Sequence, residues 1–361
     1  MITKLSIRGY KSIEDQEVSL DKINILIGGN GIGKTNFISV FDLMRSLYDR
    51  NLQAYVLKKG GANRLLYMGK KKTQQIIIDL EFERCGFRNR FMVDLGESQD
   101  SLIISETKTA FYNKVWHYQK CDSNKVEASI SSDKAGQAYY VSDLMRQFRV
   151  FHFHDAGDSS PMKGKSNIDD NITLSRDGSN IASYLFYLQE RHPKAFKRIE
   201  MAVQSVSPFF AGFALAPDRL NPQVIQLEWK QHGVDDLYFN AYQLSDGTLR
   251  FICLATLLLQ PNPPKTIIID EPELGLHPMA INKLSAMIKK ASEYSQIIVS
   301  TQSVSLVDNF EAEDILVVDM KEQASIFKRL KNEQLSVWLE DYSLGEVWEK
   351  NLIGGQPFLK V

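Results

Sequence analysis

Residues 28–35 read Gly-Gly-Asn-Gly-Ile-Gly-Lys-Thr and match the phosphate-loop pattern G-x-x-x-x-G-K-[ST]. Glycines let backbone N–H groups close around phosphate oxygens at the start of a helix, where the helix dipole favours anions. Lys34 would reach the outer phosphates of a nucleotide, and Thr35 would offer a hydroxyl to Mg²⁺. The plainer alternative is a glycine turn beside an exposed lysine. The predicted nucleotide-binding residues of this segment are Gly28, Asn30, Gly31, Gly33, Lys34, Thr35 and Asn36.

Two carboxylates, Asp270 and Glu271, follow the apolar residues 266–269. At the carboxyl edge of a parallel sheet they would lie where α/β proteins bind ligands. Asp270 would hold Mg²⁺, directly or through water, and Glu271 would orient or deprotonate an attacking water. The alternative is a strand that ends in a solvated acidic turn.

A third segment, Leu-Ser-Asp-Gly at residues 244–247, precedes an apolar helical run. Taken alone it predicts a helix N-cap with a turn glycine. Before an acidic strand it also predicts an anion site, in which Ser245, the Gly247 amide and the helix N-terminus hold a γ-phosphate.

The elements around these segments predict an α/β fold. Strands over residues 5–8 and 23–27 and a helix over 35–48 place the phosphate loop between a strand and a helix. Alternating segments from 74 to 119 predict an antiparallel β insertion, residues 120–137 an exposed loop, and residues 150–154 a short strand. Later segments predict helices over 138–148, 180–188, 193–206, 248–259 and 278–291 and strands over 224–229, 266–269, 296–300 and 315–318.

This order predicts one head with a mixed, mostly parallel core sheet. Its parts are an N-terminal core (1–73), the β insertion (74–137), a helical lobe (138–210) and a C-terminal core (211–361).

Composition limits the class of protein. With 361 residues, 43% of them hydrophobic, the chain can bury a large core, and a net charge of −1 gives no overall basic excess for nucleic acid. Cys85, Cys121 and Cys253 form no CxxC pair, which favours a reducing compartment. No signal pattern or membrane-length apolar run is present in the sequence, so we expect a soluble, cytoplasmic protein without membrane contact.

The three segments, in this order, resemble those of the RecF/OLD-like, AAA_21-type ATPases of the ABC/SMC-like P-loop superfamily. The resemblance extends to residues 5–12, 152–155, 270–278, 300–303 and 342–348 and so covers most of the chain. It implies an ATPase head that uses ATP and Mg²⁺, with Lys34 and Glu271 in the cis chemistry. Ser245 and Gly247 would contact ATP bound to the opposite subunit, which implies a homodimer or a higher oligomer.

The chain departs from this family in two places. Gln302 stands where the switch segment of ABC heads usually carries His, and Gln can hydrogen-bond a γ-phosphate but cannot accept a proton as imidazole can. Gln302 would therefore sense the γ-phosphate, and turnover would be slow. About 60 residues follow Gln302, which is too few for the TOPRIM nuclease of OLD proteins. The resemblance thus suggests a separately encoded nuclease or toxin effector in prokaryotic anti-phage defence or DNA repair.

Other residues are weaker candidates. In SMC-like heads the position of Lys11 and Ser12 contacts the nucleotide, although a simple turn is the alternative. His152 and His154, with Asp155 adjacent, could bind a metal ion, line the nucleotide site or only pack. His277 could belong to a helix start or to a loop that crosses a dimer.

Basic residues cluster at Lys70, Lys71 and Lys72 and at Arg84, Arg88 and Arg90. Such a cluster is either a solvated face or a surface that contacts DNA or RNA phosphates. Two further functions stay open: an ATP-operated scaffold with negligible turnover, and the ATP-binding subunit of a transporter, which the Leu-Ser-Asp-Gly sequence disfavours.

Overall fold

The computed structural model describes residues 1–84, 86–132, 136–234 and 237–356. The chain forms two compact units. The first unit contains Met1–Val150, Lys265–Ile268 and Gln296–Val361, and the second contains Phe151–Pro264 and Ile269–Ser295. Cys85 lies outside the described residues.

An antiparallel sheet in the first unit confirms the predicted β insertion. Its strand order is β2-β1-β4-β5-β6-β7, and its strands are β1 (Ile2–Tyr10), β2 (Ile13–Ser19), β4 (Gln75–Arg84), β5 (Phe87–Ser98), β6 (Ser101–Asn113) and β7 (Val115–Lys125). The predicted exposed loop over 120–137 is wrong at its start, because β7 continues to Lys125 and pairs with β6 despite its polar sequence. An edge strand with one solvated face needs few apolar residues.

A second sheet has the order β17-β16-β3-β15-β14-β8. Its strands are β3 (Ile23–Ile27), β8 (Val150–Phe151), β14 (Thr266–Asp270), β15 (Gln296–Thr301), β16 (Ile315–Lys321) and β17 (Ala324–Arg329). Strand β3 pairs in parallel with β15 and β16, whereas β17 returns antiparallel to β16. The predicted mixed, mostly parallel core sheet is therefore present.

Helix α1 (Lys34–Tyr48) buries the face predicted from its apolar spacing, because Phe37, Val40, Phe41 and Met44 are all fully buried. The remaining helices of the first unit are α2 (Leu52–Lys58), α3 (Ala62–Leu65), α4 (Gly136–Met145), α9 (Val304–Val307), α10 (Asn332–Leu335) and α11 (Leu344–Glu349).

The second unit contains the helices α5 (Ile181–Arg191), α6 (Pro193–Val206), α7 (Asp246–Leu259) and α8 (Pro278–Ala291). Two small antiparallel sheets have the orders β10-β12-β13 and β11-β9, with β9 (Ser166–Asn167), β10 (Phe210–Phe213), β11 (Val224–Ile225), β12 (Glu228–Gln231) and β13 (Phe239–Asn240). The single strand predicted over 224–229 is wrong, since it is divided into β11 and β12 in different sheets.

Short 3₁₀ turns complete the structure at Ile130–Ser132, Pro161–Lys163, Ala241–Gln243 and Ala312–Asp314. In the four described ranges, no helix combines the length and the apolar character needed to cross a membrane.

Candidate functional site

The phosphate loop joins β3 to α1 in the first unit. Gly31 and Gly33 have φ angles of 78° and 120°, a region that favours glycine, and Gly33 is the N-cap of the 15-residue helix α1. Asn30, Gly31 and Thr35 are exposed. The loop thus presents its open side at a helix N-terminus, where anions are favoured.

The ammonium group of Lys34 lies against this loop. Its Nζ donates to the carbonyl oxygens of Gly28 at 2.7 Å and Gly29 at 2.9 Å, and the residue is only 5% exposed. The positive charge is therefore held beside the loop backbone, where a phosphate oxygen could also accept from it.

Side-chain hydrogen bonds among Asn36, Ser12 and Ser325 support the phosphate loop. The Asn36 side-chain amide donates to Ser12 Oγ at 2.8 Å, and Ser12 and Ser325 share a hydrogen bond of 2.7 Å. The Ser325 hydroxyl donates in turn to the carbonyl oxygen of Ile32 at 2.5 Å. A Cβ atom at Gly33 would lie 2.1 Å from Ser325 Oγ, so only glycine fits above this serine.

Ser325 was not predicted from the sequence. It lies on β17, and no motif connects it with a loop almost 300 residues earlier. A similar remote contact joins the loop to Gly355, whose carbonyl oxygen accepts from the Gly29 N–H at 2.7 Å.

Lys11 and Ser12 both contact the first turns of α1. Lys11 has a φ of 49°, and its Nζ donates to Ser39 Oγ at 2.7 Å. Burial, followed by the charge of Lys59, lowers the pKa of Lys11 to about 8, and the opposing charge of Asp42 is already included in that value. A cation that loses its proton close to neutral pH thus lies beside the phosphate-loop helix.

Gln302 follows the last residue of β15. In the parallel pairing of β15 with β3, Thr301 lies opposite Ile27. The next residues along the two strands are Gln302 and Gly28, so Gln302 lies level with the start of the phosphate loop.

The acidic strand β14 ends in the second unit. Its residues are all buried, and Asp270 is 8% exposed. Glu271, the next residue, has a φ of 44°. A non-glycine residue in this region stores about 1–3 kcal/mol of strain, and such strain is common at functional sites.

The Leu-Ser-Asp-Gly segment begins α7 in the same unit. Ser245 is the predicted N-cap, since its hydroxyl accepts from the Thr248 N–H at 3.2 Å, and it is exposed. A Cβ atom at Gly247 would lie 2.4 Å from the Gly275 carbonyl oxygen, so this glycine permits close packing of α7 on the turn after β14. The exposed end of a 14-residue helix is compatible with both predicted roles of this segment, the helix N-cap and the γ-phosphate site.

Arg250, which sequence reasoning missed, connects three parts of the second unit. From α7 it donates through Nη1 to the Leu274 carbonyl at 2.8 Å and through Nη2 to the His154 carbonyl at 2.5 Å. Gly275, with a φ of 73°, leaves room for the guanidinium, because a Cβ there would lie 2.6 Å from Nη1.

The histidine segment differs from its prediction. Strand β8 ends at Phe151, so His152 and His154 do not lie on a strand face. Their ring nitrogens nevertheless form one group with a carboxylate oxygen of Asp270, and all three atoms lie within 4.8 Å of one another. Asp155, the predicted neighbour, is not a member of this group.

His277 is the N-cap of α8, and its Nδ1 accepts from the Met279 N–H at 3.3 Å. The structure therefore supports the helix-start alternative for this residue.

The clustered basic residues are largely neutralised. Ion pairs join Lys70 to Asp100, Lys72 to Glu14, Arg84 to Asp143, Arg88 to Glu81, and Arg90 to Asp79. Paired cations attract phosphate less than free ones do, which favours the solvated-face alternative.

Two families of known proteins match this chain. The AAA_15 family, an AAA ATPase domain, matches residues 1–145. The AAA_21 family, described as an AAA domain and a proposed AbiEii toxin of a Type IV TA system, matches residues 143–308. Together they span the phosphate loop, the Leu-Ser-Asp-Gly segment and the acidic strand.

One curated relative is a proposed ABC transporter ATP-binding protein of Mycoplasma genitalium, 30% identical over 107 residues. The match covers 29% of this chain and 29% of that protein. Most of both proteins lies outside this match.

Solved structures of Smc heads share the fold. A head bound to the C-terminal winged-helix domain of ScpA has a TM-score of 0.63 at 16% identity, over 93% of this chain and 99% of that one. The Smc head of Pyrococcus furiosus, with an extended coiled coil and the C-terminal domain of ScpA, has a TM-score of 0.58 at 15% identity, over 94% and 98%. The two family matches and the phosphate loop support an ABC/SMC-like P-loop ATPase, and the Smc heads share the fold of this chain.

Proposed function

We propose that this protein hydrolyses ATP with Mg²⁺ and closes as a head-to-head homodimer around two ATP molecules. Closure and opening would gate a separately encoded effector, such as a nuclease or a toxin, or a DNA or RNA substrate. The cellular role would be prokaryotic anti-phage defence or DNA repair in the cytoplasm. The observation that carries the ATPase proposal is the phosphate loop, which is fixed by side-chain hydrogen bonds at the start of α1.

The residues fit ATP and Mg²⁺. A Cβ atom at Gly31 would meet nothing within 4 Å, so the loop is unobstructed at this residue. Thr35 and Asp270 carry the oxygen ligands that Mg²⁺ prefers, and the ion would neutralise phosphate charge. Lys34 would bind the β- and γ-phosphates, and Gln302 would donate a hydrogen bond to the γ-phosphate.

Glu271 would orient the attacking water and accept its proton. Its place directly after a fully buried strand and its strained backbone both support this role, because they restrict where the carboxylate can lie. The change Glu271→Gln keeps the side-chain shape and removes the base.

Partner binding is proposed from two features. Ser245 is exposed at the start of α7, where it could contact ATP on a second copy of the chain. The Smc heads with the same fold bind a domain of ScpA, which supports a separate protein partner here.

The test measures molar mass by light scattering with and without ATP and Mg²⁺. We expect Glu271→Gln to double its mass with ATP, because it binds but does not hydrolyse, and expect Lys34→Ala in the same background to stay unchanged. Glu293→Gln is the matched control, since Glu293 is an exposed carboxylate of the same unit. A Glu271→Gln protein that stays monomeric with ATP, while wild type releases phosphate, would refute the dimer.

The scaffold alternative is supported by Gln302, which cannot accept a proton in the switch position. Steady-state phosphate release separates the two functions. Release by wild type that Glu271→Gln abolishes supports the enzyme, and ATP-dependent dimerisation without release supports the scaffold.

A further inference from the structure

Two imidazoles and one carboxylate meet within the second unit. His152 and His154 each offer a ring nitrogen and Asp270 offers an oxygen, and these atoms lie within 4.8 Å of one another. Around a tetrahedral ion with ligand bonds of about 2.1 Å, neighbouring ligand atoms lie roughly 3.4 Å apart. Side-chain rotation could close the difference between these two separations.

The surrounding structure holds these ligands in place. Asp270 ends a buried strand, and the Arg250 guanidinium binds the His154 carbonyl at 2.5 Å and the Leu274 carbonyl at 2.8 Å. The histidine segment is thereby tied to the turn that follows Asp270. Anchoring of this kind by neighbouring groups keeps metal ligands oriented.

A small cavity adjoins two of the three ligands. Its volume of about 10 Å³ is close to what one water molecule requires, and its polar lining residues are His154, Asp270, Glu271 and Arg250. The Arg250 guanidinium is engaged with the His154 and Leu274 carbonyls. Imidazole nitrogens beside a carboxylate oxygen form a donor set that suits a divalent ion.

We propose that His152, His154 and Asp270 bind a divalent first-row transition metal ion, of the class of Mn²⁺, Co²⁺ and Zn²⁺. Imidazole nitrogen suits these ions, whereas Mg²⁺ prefers oxygen ligands alone. Asp270 is shared with the proposed binding of nucleotide-bound Mg²⁺, and the two histidine ligands distinguish this site from that one. Ion binding does not depend on the proposed ATPase function.

The test uses Co²⁺ and the untagged full chain, stripped with EDTA, without nucleotide. We expect one equivalent to bind with visible absorption bands, and 10 mM Mg²⁺ to leave the bands in place. His152→Ala and His154→Ala should each weaken Co²⁺ binding by about 100-fold. His277→Ala, which removes an exposed imidazole of the same unit, should bind as wild type does.

Two results would overturn the proposal: wild type that binds no Co²⁺, or a His152→Gln, His154→Gln double variant that binds Co²⁺ as wild type does. Circular dichroism checks that each variant is folded, and the glutamine variants retain hydrogen-bonding side chains of similar size. A separate ATP-binding measurement on wild type keeps the two proposals apart, since wild type that binds ATP but no Co²⁺ would refute only the metal site.

Discussion

Replacing Gly275 by alanine tests whether Arg250 stabilises the turn after the acidic strand. At a φ of 73° an alanine costs about 1 kcal/mol in backbone strain. Its Cβ would also lie 2.6 Å from Arg250 Nη1, so the guanidinium must move. That movement breaks the bonds to the Leu274 and His154 carbonyls, at about 1.5 kcal/mol each for charged donors near the surface. The expected total loss in free energy of unfolding is about 4 kcal/mol.

Gly233 provides a matched control, because it has a φ of 74° in the same unit and a Cβ there would meet nothing within 4 Å. Urea unfolding should show that Gly233→Ala lowers the free energy of unfolding by about 1 kcal/mol, from backbone strain alone. In an Arg250→Met background, Gly275→Ala should also lose only about 1 kcal/mol. Equal losses for the two glycines in the wild-type background, or an undiminished loss in the Arg250→Met background, would refute the reasoning.

Three further predictions concern other parts of the chain. If protonated Lys11 contacts ATP, the Kd of wild type for ATP should rise up to about tenfold from pH 7 to 9, because Lys11, with a pKa of about 8, loses its positive charge over this range. The Kd of Lys11→Arg, measured by the same calorimetric titration, should not change with pH. Ser325→Ala removes the hydroxyl that binds the phosphate loop and should weaken ATP binding about fivefold, or about 1 kcal/mol, in the same assay. Ser336→Ala, at an exposed serine, is the control and should leave the ATP affinity unchanged. Cys253 is fully buried and has a raised thiol pKa, so iodoacetamide should label it only after unfolding and should label the half-buried Cys121 sooner. Peptide mass mapping measures both labelling rates, and rapid labelling of Cys253 in the native protein would contradict its burial.

The local elements of the site could be predicted from the sequence. Helix α1, the strand before it and the acidic strand have periodic or continuous apolar residues that only one element type satisfies. The cap at Ser245 follows from a residue type with a strong local preference. Each of these features depends on residues close together in the chain.

The contacts that fix the site could not be predicted in this way. Ser325, Arg250 and Gly355 act through tertiary packing, and none has a distinctive neighbour in the sequence. The metal-ligand group was predicted with the adjacent Asp155, whereas the fold supplies Asp270 from a distant strand. Proximity in the chain was therefore a poor guide to proximity in space.

The support of the phosphate loop by Ser12, Ser325 and Gly355 has a consequence for genetics. These residues come from three remote stretches of the gene, yet each is one hydrogen bond from the loop backbone or from a residue that holds it. A screen for loss of nucleotide binding should therefore recover substitutions at all three positions as well as in residues 28–35. On a linear map such alleles would look unrelated, and their shared phenotype would come from a single structural support.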